Sequence, residues 1–215
     1  PFDMPSNWIS IHPALNENTV RYIHEKIYSR VEKHADKIFS GKSDFLSFRD
    51  LVPDMLIAPV SLAYYLAGRF AFAKSFYASD RCDHCGICEK LCPVKAIKTA
   101  EQHPYWTFKC ESCMKCMNSC PQKAIETAHG LLVVTSVLSS ATVTILLDSM
   151  LVEETRLIRT LLGTLVFFAQ LWLFYNVQHL LLKNKFFARL IASTSLTHYH
   201  FWGRYKSIPD SKWKK

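Results

Sequence analysis

Outside residues 82–120 the chain has no cysteine, although it holds eight in its 215 residues. An even count would suit four disulfides in a secreted protein. The opening PFDMPSNWIS, however, has neither the basic n-region nor the apolar h-region of a secretory signal. That segment starts at Pro1, which leaves the true start open to further residues upstream. Acidic residues are the minority, 18 against 26 Lys and Arg, for a net charge of +8 and a pI near 9.1. Such a balance suits nucleic acid, anionic lipid or an acidic partner and says nothing about fold. No nucleophile, general base or substrate pocket is legible, so no catalytic residue is assigned. Charge is missing altogether from residues 130–147, and Asp, Glu, Lys and Arg from residues 160–182. With 49% hydrophobic residues the composition sits at the top of the soluble range, and membrane segments must be sought.

What the chain does have is a repeat. CDHCGICEKLCPVKAIKT begins at Cys82 and CESCMKCMNSCPQKAIET at Cys110, each reading Cys-x2-Cys-x2-Cys-x3-Cys-Pro. Disulfides give no reason for a doubled spacing, and zinc needs only four ligands, usually in two separated pairs. An iron–sulfur cube does explain it. Three thiolates two residues apart wrap one cluster in a tight turn, and the fourth, before proline, reaches the other cluster. This assigns Cys82, Cys85, Cys88 and Cys120 to one 4Fe–4S cluster. Cys110, Cys113, Cys116 and Cys92 take the second. Pro93 and Pro121 fix the chain direction after each fourth cysteine. Lys95-Ala96-Ile97 matches Lys123-Ala124-Ile125, and Thr99 matches Thr127, a pseudo-twofold unit with Ile97 and Ile125 expected beside the clusters.

Residues 80–128, through these motifs, resemble a two-cluster bacterial ferredoxin. The resemblance implies a ferredoxin-like α+β fold, a potential of about −400 mV and one-electron transfer. Every ligand position of that motif is filled, so no iron is left open to a substrate. Two oxidised clusters of charge about −2 each would lower +8 to roughly +4. From Cys82 to His129 there are six lysines against five acids. Lys90, Lys95, Lys115 and Lys123 near the clusters would favour an acidic redox partner such as a flavodoxin-like domain. A mixed, solvated surface explains the same residues without a partner.

The two uncharged runs read as helices of roughly 27 and 34 Å against a hydrocarbon core of about 30 Å. Residues 160–182 hold thirteen Leu, Val or Phe, each favouring insertion by about 0.3–0.6 kcal/mol, offset by Gln170, Asn176, Gln178 and His179. Residues 130–147 carry six Ser or Thr hydroxyls that can bond within the helix and pack on a neighbour. A buried hairpin in a larger soluble assembly is the alternative. The tail from Lys183 has eight basic residues and one acid, Asp210, whereas the hairpin loop has Asp148, Glu153 and Glu154 against Arg156 and Arg159. A positive tail stays inside, which puts the ferredoxin on the cytoplasmic side of the membrane. Tyr199, Phe201, Trp202 and Tyr205 suit an interfacial belt. They form no nucleic-acid recognition module, so no nucleic-acid partner is expected. His129 and His179 fall at matching depth, where a b-type haem or a quinone could sit; wet-tipped interfacial side chains are the simpler account.

In the leader, Val20, Ile23, Ile27, Val31, Ala35 and Ile38 form one apolar stripe, with Asn18 as cap and Gly41 as stop. A second helical stretch from Phe45 is broken by Pro53 and Pro59 and is too short to span, a packed or interfacial connector. DMPSNW, the long amphipathic helix ending in SGK, and the run into FYASDRCDHCGICEKLCP resemble flavodoxin–ferredoxin fusion proteins of anaerobes, from Met4 to about Thr127. That family's Ser/Thr/Gly-rich flavin phosphate loop is absent, so FMN binding by this chain alone is not expected.

The expected fold class is α+β: a ferredoxin-like two-cluster module with a helical leader and a C-terminal transmembrane helical hairpin. The expected organisation is 1–41, the end of a flavodoxin-like domain or a helical leader; 42–78, a helical connector; 79–129, the two-cluster domain; 130–182, the hairpin; and 183–215, a basic cytoplasmic tail. The function expected is a membrane-anchored low-potential electron carrier between redox proteins. A subunit of a multi-subunit oxidoreductase acting on quinone or haem is the first alternative, and a structural iron–sulfur scaffold the second.

Overall fold

The structure, a computed structural model, describes residues 5–43, 50–100, 103–150 and 156–204. In chain order come α1 (Glu17–Phe39), α2 (Leu51–Ala63), a π-helical turn (Tyr64–Gly68), α3 (Arg69–Ala73) and β1 (Phe76–Ala78). Then follow α4 (Ile87–Lys90), β2 (Ile97–Ala100), β3 (His103–Trp106), α5 (Lys115–Ser119) and β4 (Ile125–Thr127). Two long helices, α6 (His129–Met150) and α7 (Arg156–Leu181), precede α8 (Lys185–Ser193) and two short 3-10 turns, Leu196–His198 and His200–Trp202. The described fold is therefore helices with two small sheets. In one, β1 runs antiparallel to β4 with Phe76 opposite Thr127; in the other, β2 runs antiparallel to β3 with Ile97 opposite Trp106.

One apolar core lies under both ribbons. Phe76, Ile97, Trp106, Met117 and Ile125 fill it, and Cys110 and Cys116 are buried in it. Burial of each large side chain is worth about 1.5–3 kcal/mol. The matching isoleucines, Ile97 and Ile125, enter it from the two halves of the repeat. Two straps close it. In the first, Ile9 is fully buried in the core and the Trp8 indole N–H donates to the Ser112 carbonyl at 3.1 Å. The second comes from the C-terminal side: Trp202 Nε1 donates to the Ile9 carbonyl at 2.6 Å, and the Thr127 N–H donates to Thr197 Oγ1 at 2.9 Å. Trp202, expected at a membrane interface, is thus buried against Ile9 and His129, because its N–H finds a carbonyl inside the module. Tyr205, Lys206, Asp210, Lys212, Lys214 and Lys215 lie outside the described residues, as do Met4, Phe45, Glu153 and Glu154.

The leader differs from expectation in its ends and its packing. Asn16, not Asn18, caps α1: its side chain accepts from the Thr19 N–H at 2.7 Å, satisfying an orphan donor of the first turn. Gly41, at φ +65°, lies just past the helix end. Of the apolar stripe only Val20 and Ile27 are buried, and Val31 and Ile38 are exposed. Residues 5–43 contain this one helix and no strand.

The connector also departs from its expectation. Helix runs without a break from Leu51 to Ala73 and is long and apolar enough to cross a membrane. Pro53 falls in the first turn, where an N–H has no intrahelical partner, so it interrupts nothing. Pro59 costs a single bond inside α2, and the ladder resumes through the π-helical turn. Neither proline therefore ends the helix, and the run is longer than its punctuation suggests. Among the described residues three such helices exist: Leu51–Ala73, His129–Leu147 and Arg156–Leu181.

The two C-terminal long helices pack on each other through polar seams. Ser139 Oγ donates to Gln170 Oε1 at 2.8 Å, and Gln170 Nε2 donates to Thr142 Oγ1 at 3.0 Å. The glutamine that weighs against insertion is thereby paired with the hydroxyls of α6, as a polar side chain among apolar helices requires. Gly130 lets α8 approach: a Cβ there would lie 2.6 Å from Thr194 Oγ1 and 2.7 Å from Thr194 Cβ. The β-branched neighbour cannot swing clear. Gly130→Ala is expected to destabilise the chain by about 1–3 kcal/mol through overpacking, read as a lower unfolding temperature in detergent, with Gly163→Ala, which meets nothing within 4 Å, as the neutral control.

Candidate metal centre

All eight cysteines are free thiols in the structure. The two Cys-rich loops adopt the same backbone twenty-eight residues apart. His84 and Ser112 have φ of 58° and 50°, Gly86 and Met114 70° and 58°, Lys95 and Lys123 49° and 50°. Five of these six are not glycine, and a left-handed conformation costs a side-chain-bearing residue about 1–2 kcal/mol. The turns curl the backbone so that N–H groups face sulfur. The Ala96 N–H points at Cys92 Sγ at 3.2 Å and, in the other half, the Ala124 N–H at Cys120 Sγ at 3.3 Å. Ser112 N lies 3.4 Å from Cys110 Sγ.

The structure brings the first of the two expected cysteine sets together. Cys82, Cys85, Cys88 and Cys120 all line one cavity, walled also by Gly86, Pro121 and Ile125. Three of these thiols come from the first loop, and the fourth is brought in by the Cys-Pro step of the second. On the other side, Cys113 and Cys92 are the like-charged neighbours of Cys110, and Cys110 and Cys113 those of Cys116. Cys88 also neighbours Cys116, so the two sets adjoin. Among the described residues no three His, Cys, Asp or Glu side chains converge on a single-ion site. Thiols spread around a cavity fit a multi-atom cluster better than one zinc ion, whose ligands meet at a point.

Burial makes these thiols poor anions by themselves. It pushes Cys88 and Cys110 up to about 11, and Cys116 higher still, with neighbouring cysteines pushing the same way. Four thiolates in one such place need a compensating cation, and iron supplies it. The Trp106 indole N–H is directed towards sulfur. It is fully buried, sits beside the Cys116 thiol and has no oxygen or nitrogen acceptor among the described residues. A cluster sulfur would satisfy such a donor.

Several polar residues were missed by sequence reasoning. Lys74 is buried, its Nζ donating to the Trp106 carbonyl at 2.6 Å and lying 4.3–4.6 Å from the ring centroids of Phe108, Tyr105 and Tyr175. Burial lowers its ammonium from 10.5 to about 8, and the Cys110 thiolate pulls the other way. Glu126 is fully buried under β1 and β4, accepting from Tyr77 Oη at 2.6 Å and paired with Arg81 and with His198 Nδ1 at 3.0 Å. Lys74 lies outside the repeat and Glu126 stands where the first half has Lys98, so neither matches across it, and a lone Lys or Glu in a mixed-charge sequence carries no sign that it is buried. His129 donates through Nε2 to the Ser10 carbonyl at 2.8 Å and accepts the Leu196 N–H on Nδ1 at 3.1 Å. Both its ring nitrogens are in use. His179 instead packs edge-on against Tyr175 and at a tilt against Tyr105, and the structure brings no direct contact between the two histidines.

A family model described as a 4Fe-4S dicluster domain matches residues 81–125. No curated protein and no solved structure matches the chain. The cysteine region is therefore a 4Fe-4S dicluster ferredoxin domain, and it supports an iron–sulfur electron carrier.

Replacing the buried ammonium removes a positive charge next to Cys110. Lys74→Met is expected to lower the midpoint potential of one cluster and leave the other in place, by about 59 mV if the one-electron equilibrium shifts tenfold. An EPR-monitored redox titration reads it, with Lys98→Met, on the surface ribbon, unchanged.

Proposed function

We propose that the chain is a membrane-anchored relay for single electrons, with two 4Fe–4S clusters on the cytoplasmic side. Cys82, Cys85, Cys88 and Cys120 would hold one cluster and Cys110, Cys113, Cys116 and Cys92 the other. The observation that carries this reading is the cavity whose fourth thiol crosses over from the opposite half of the repeat. When bound, the clusters supply a one-electron couple. The chain's own residues do the rest. Backbone N–H groups of Ala96 and Ala124 bond the crossing thiolates and so favour their charged form. Trp8, Phe76 and Trp106 keep water from the second site, and Lys74 adds a fixed positive charge beside it.

The anchoring half of the reading rests on α6 and α7, which are long and apolar enough to cross a membrane; Ser139, Thr142 and Gln170 pair between them, and the exposed hydroxyls of Ser136, Thr160 and Thr164 bond to carbonyls of their own helix. Partners are then soluble or membrane-bound redox proteins, an acidic flavodoxin-like domain being the first choice from the lysines around the clusters. FMN would belong to that partner. One observation favours the alternative of an oxidoreductase subunit. Near the end of α7, Tyr175 Oη accepts the Trp106 N–H at 3.0 Å, and His179 Nε2 is buried with no partner among the described residues. A quinone or haem at His179 would thus lie one ring from the second set of cysteines. His129 would have to give up a bond to join it.

Anaerobic preparation of the full chain is expected to give about eight iron and eight sulfide per chain, with a dithionite-reducible signal from two coupled clusters. Cys120→Ser should perturb the cluster of the first loop and Cys92→Ser that of the second. Zinc, paired sulfurs or a perturbation of the same loop as the mutated cysteine would refute the assignment. Quinol-dependent turnover without a second protein would move the reading to the oxidoreductase.

A further inference from the structure

The third apolar helix poses a topological problem that the path of the chain solves. At about 1.5 Å per residue, Leu51–Ala73 is roughly 34 Å long, enough to cross a bilayer. None of α2 is buried: Leu51, Val52, Met55, Leu56, Ile57 and Val60 are all exposed. Apart from Asp54 in its first turn its sequence is apolar on every side, which in water calls for a cover. Yet the chain starts and finishes this excursion at the same place. Residues before α1 are seated on the dicluster module through Ile9, the Trp8 indole N–H on Ser112 and the Ser10 hydroxyl on Thr127. After α3, Phe76 enters the same core in β1.

An excursion that leaves and returns to one face crosses the membrane an even number of times. A second crossing could come only from α1. Nine of its 23 residues are Asp, Glu, Lys or Arg, and a central Asp, Lys or Arg costs about 2.5–3.5 kcal/mol in a spanning helix. Two crossings are therefore excluded, one is forbidden by the path, and none remains.

We propose that Leu51–Ala73 lies in the plane of the bilayer, sunk into the leaflet on the dicluster domain's own side. The proposal rests on the membrane reading of α6 and α7. Lipid is the occupant the surroundings favour. The hairpin enters the membrane from the same module at His129, directly after β4. The outer half of α1 carries Val31, Ile38 and Phe39 exposed on the way to α2, with Arg30, Lys33 and Lys37 among them, the mix of an interfacial helix. At the other end, Arg69 and Tyr64 hold the Glu111 carboxylate and carbonyl, so the helix is pinned to the second cysteine loop where it leaves the lipid.

The test uses the full chain in membrane vesicles of both orientations. A site-specific protease sequence is inserted between Gly41 and Lys42, both exposed, and in a second version appended after Lys215. A carbene reagent dissolved in the lipid then labels the intact chain. The expected result is complete cleavage at both sites from the same face, with label on residues 51–66. Cleavage at the two sites from opposite faces means that the helix spans, and overturns the inference while the anchored relay stands. Same-face cleavage without label means that protein rather than lipid covers the helix, and overturns it too. Release of the chain by alkaline carbonate would remove the membrane reading and the inference together.

Discussion

Thiolates cannot be crowded into a dry pocket unless cations sit among them, and the dicluster module is organised around that constraint. Desolvation holds the thiols of Cys88, Cys110 and Cys116 well above their ordinary range, so without metal these sites favour neutral sulfur. Iron reverses the preference, and its binding is then folding energy for the loops that present the thiols. The left-handed residues, each a cost, are affordable only because the loops have something to close upon. Cys120 of the second loop lines the cavity of the first loop's thiols, so that cavity is built from both halves of the repeat.

Around that centre the chain adds straps. Ile9 and Trp202, 193 residues apart, are joined by a hydrogen bond across the core. The strap residues stand where a free-standing module would expose its core to water. Burial of Lys74 and Glu126 follows the same logic, each charge being kept only with partners: a carbonyl and three rings for the lysine, a phenol, a guanidinium and an imidazole for the glutamate.

The cysteine spacing was readable in the sequence because cluster ligation demands fixed intervals and proline after the fourth thiol. The two uncharged runs were readable for an equally simple reason, that lipid tolerates few charges over about 20 residues. What escaped was long-range. Asn16 displaced Asn18 as a cap because both are good caps two residues apart, and only backbone geometry chooses between them. Trp202 looked like an interfacial aromatic because nothing local tells that its N–H meets Ile9. The proline-containing helix was cut short because a proline in the first turn reads the same in sequence as one that breaks a helix.

The contact between α7 and the second set of cysteines bears on where electrons go. Tyr175 is fully buried, bonds the Trp106 backbone and shares the Lys74 cage, so the hairpin reaches the wall of the second site and not merely its neighbourhood. The first set lines a cavity with Cys85 at the surface; in the second set Cys113 is likewise exposed, while Cys110 and Cys116 are buried. Solvent access and nearby charge are among the protein's main controls on a cluster, and the two sites differ in the second of these. The ammonium beside Cys110 favours the electron on the second cluster. Charge rather than solvent access therefore sets the second site apart: each loop shows one thiol at the surface, Cys85 and Cys113, and only the second has a buried ammonium beside it.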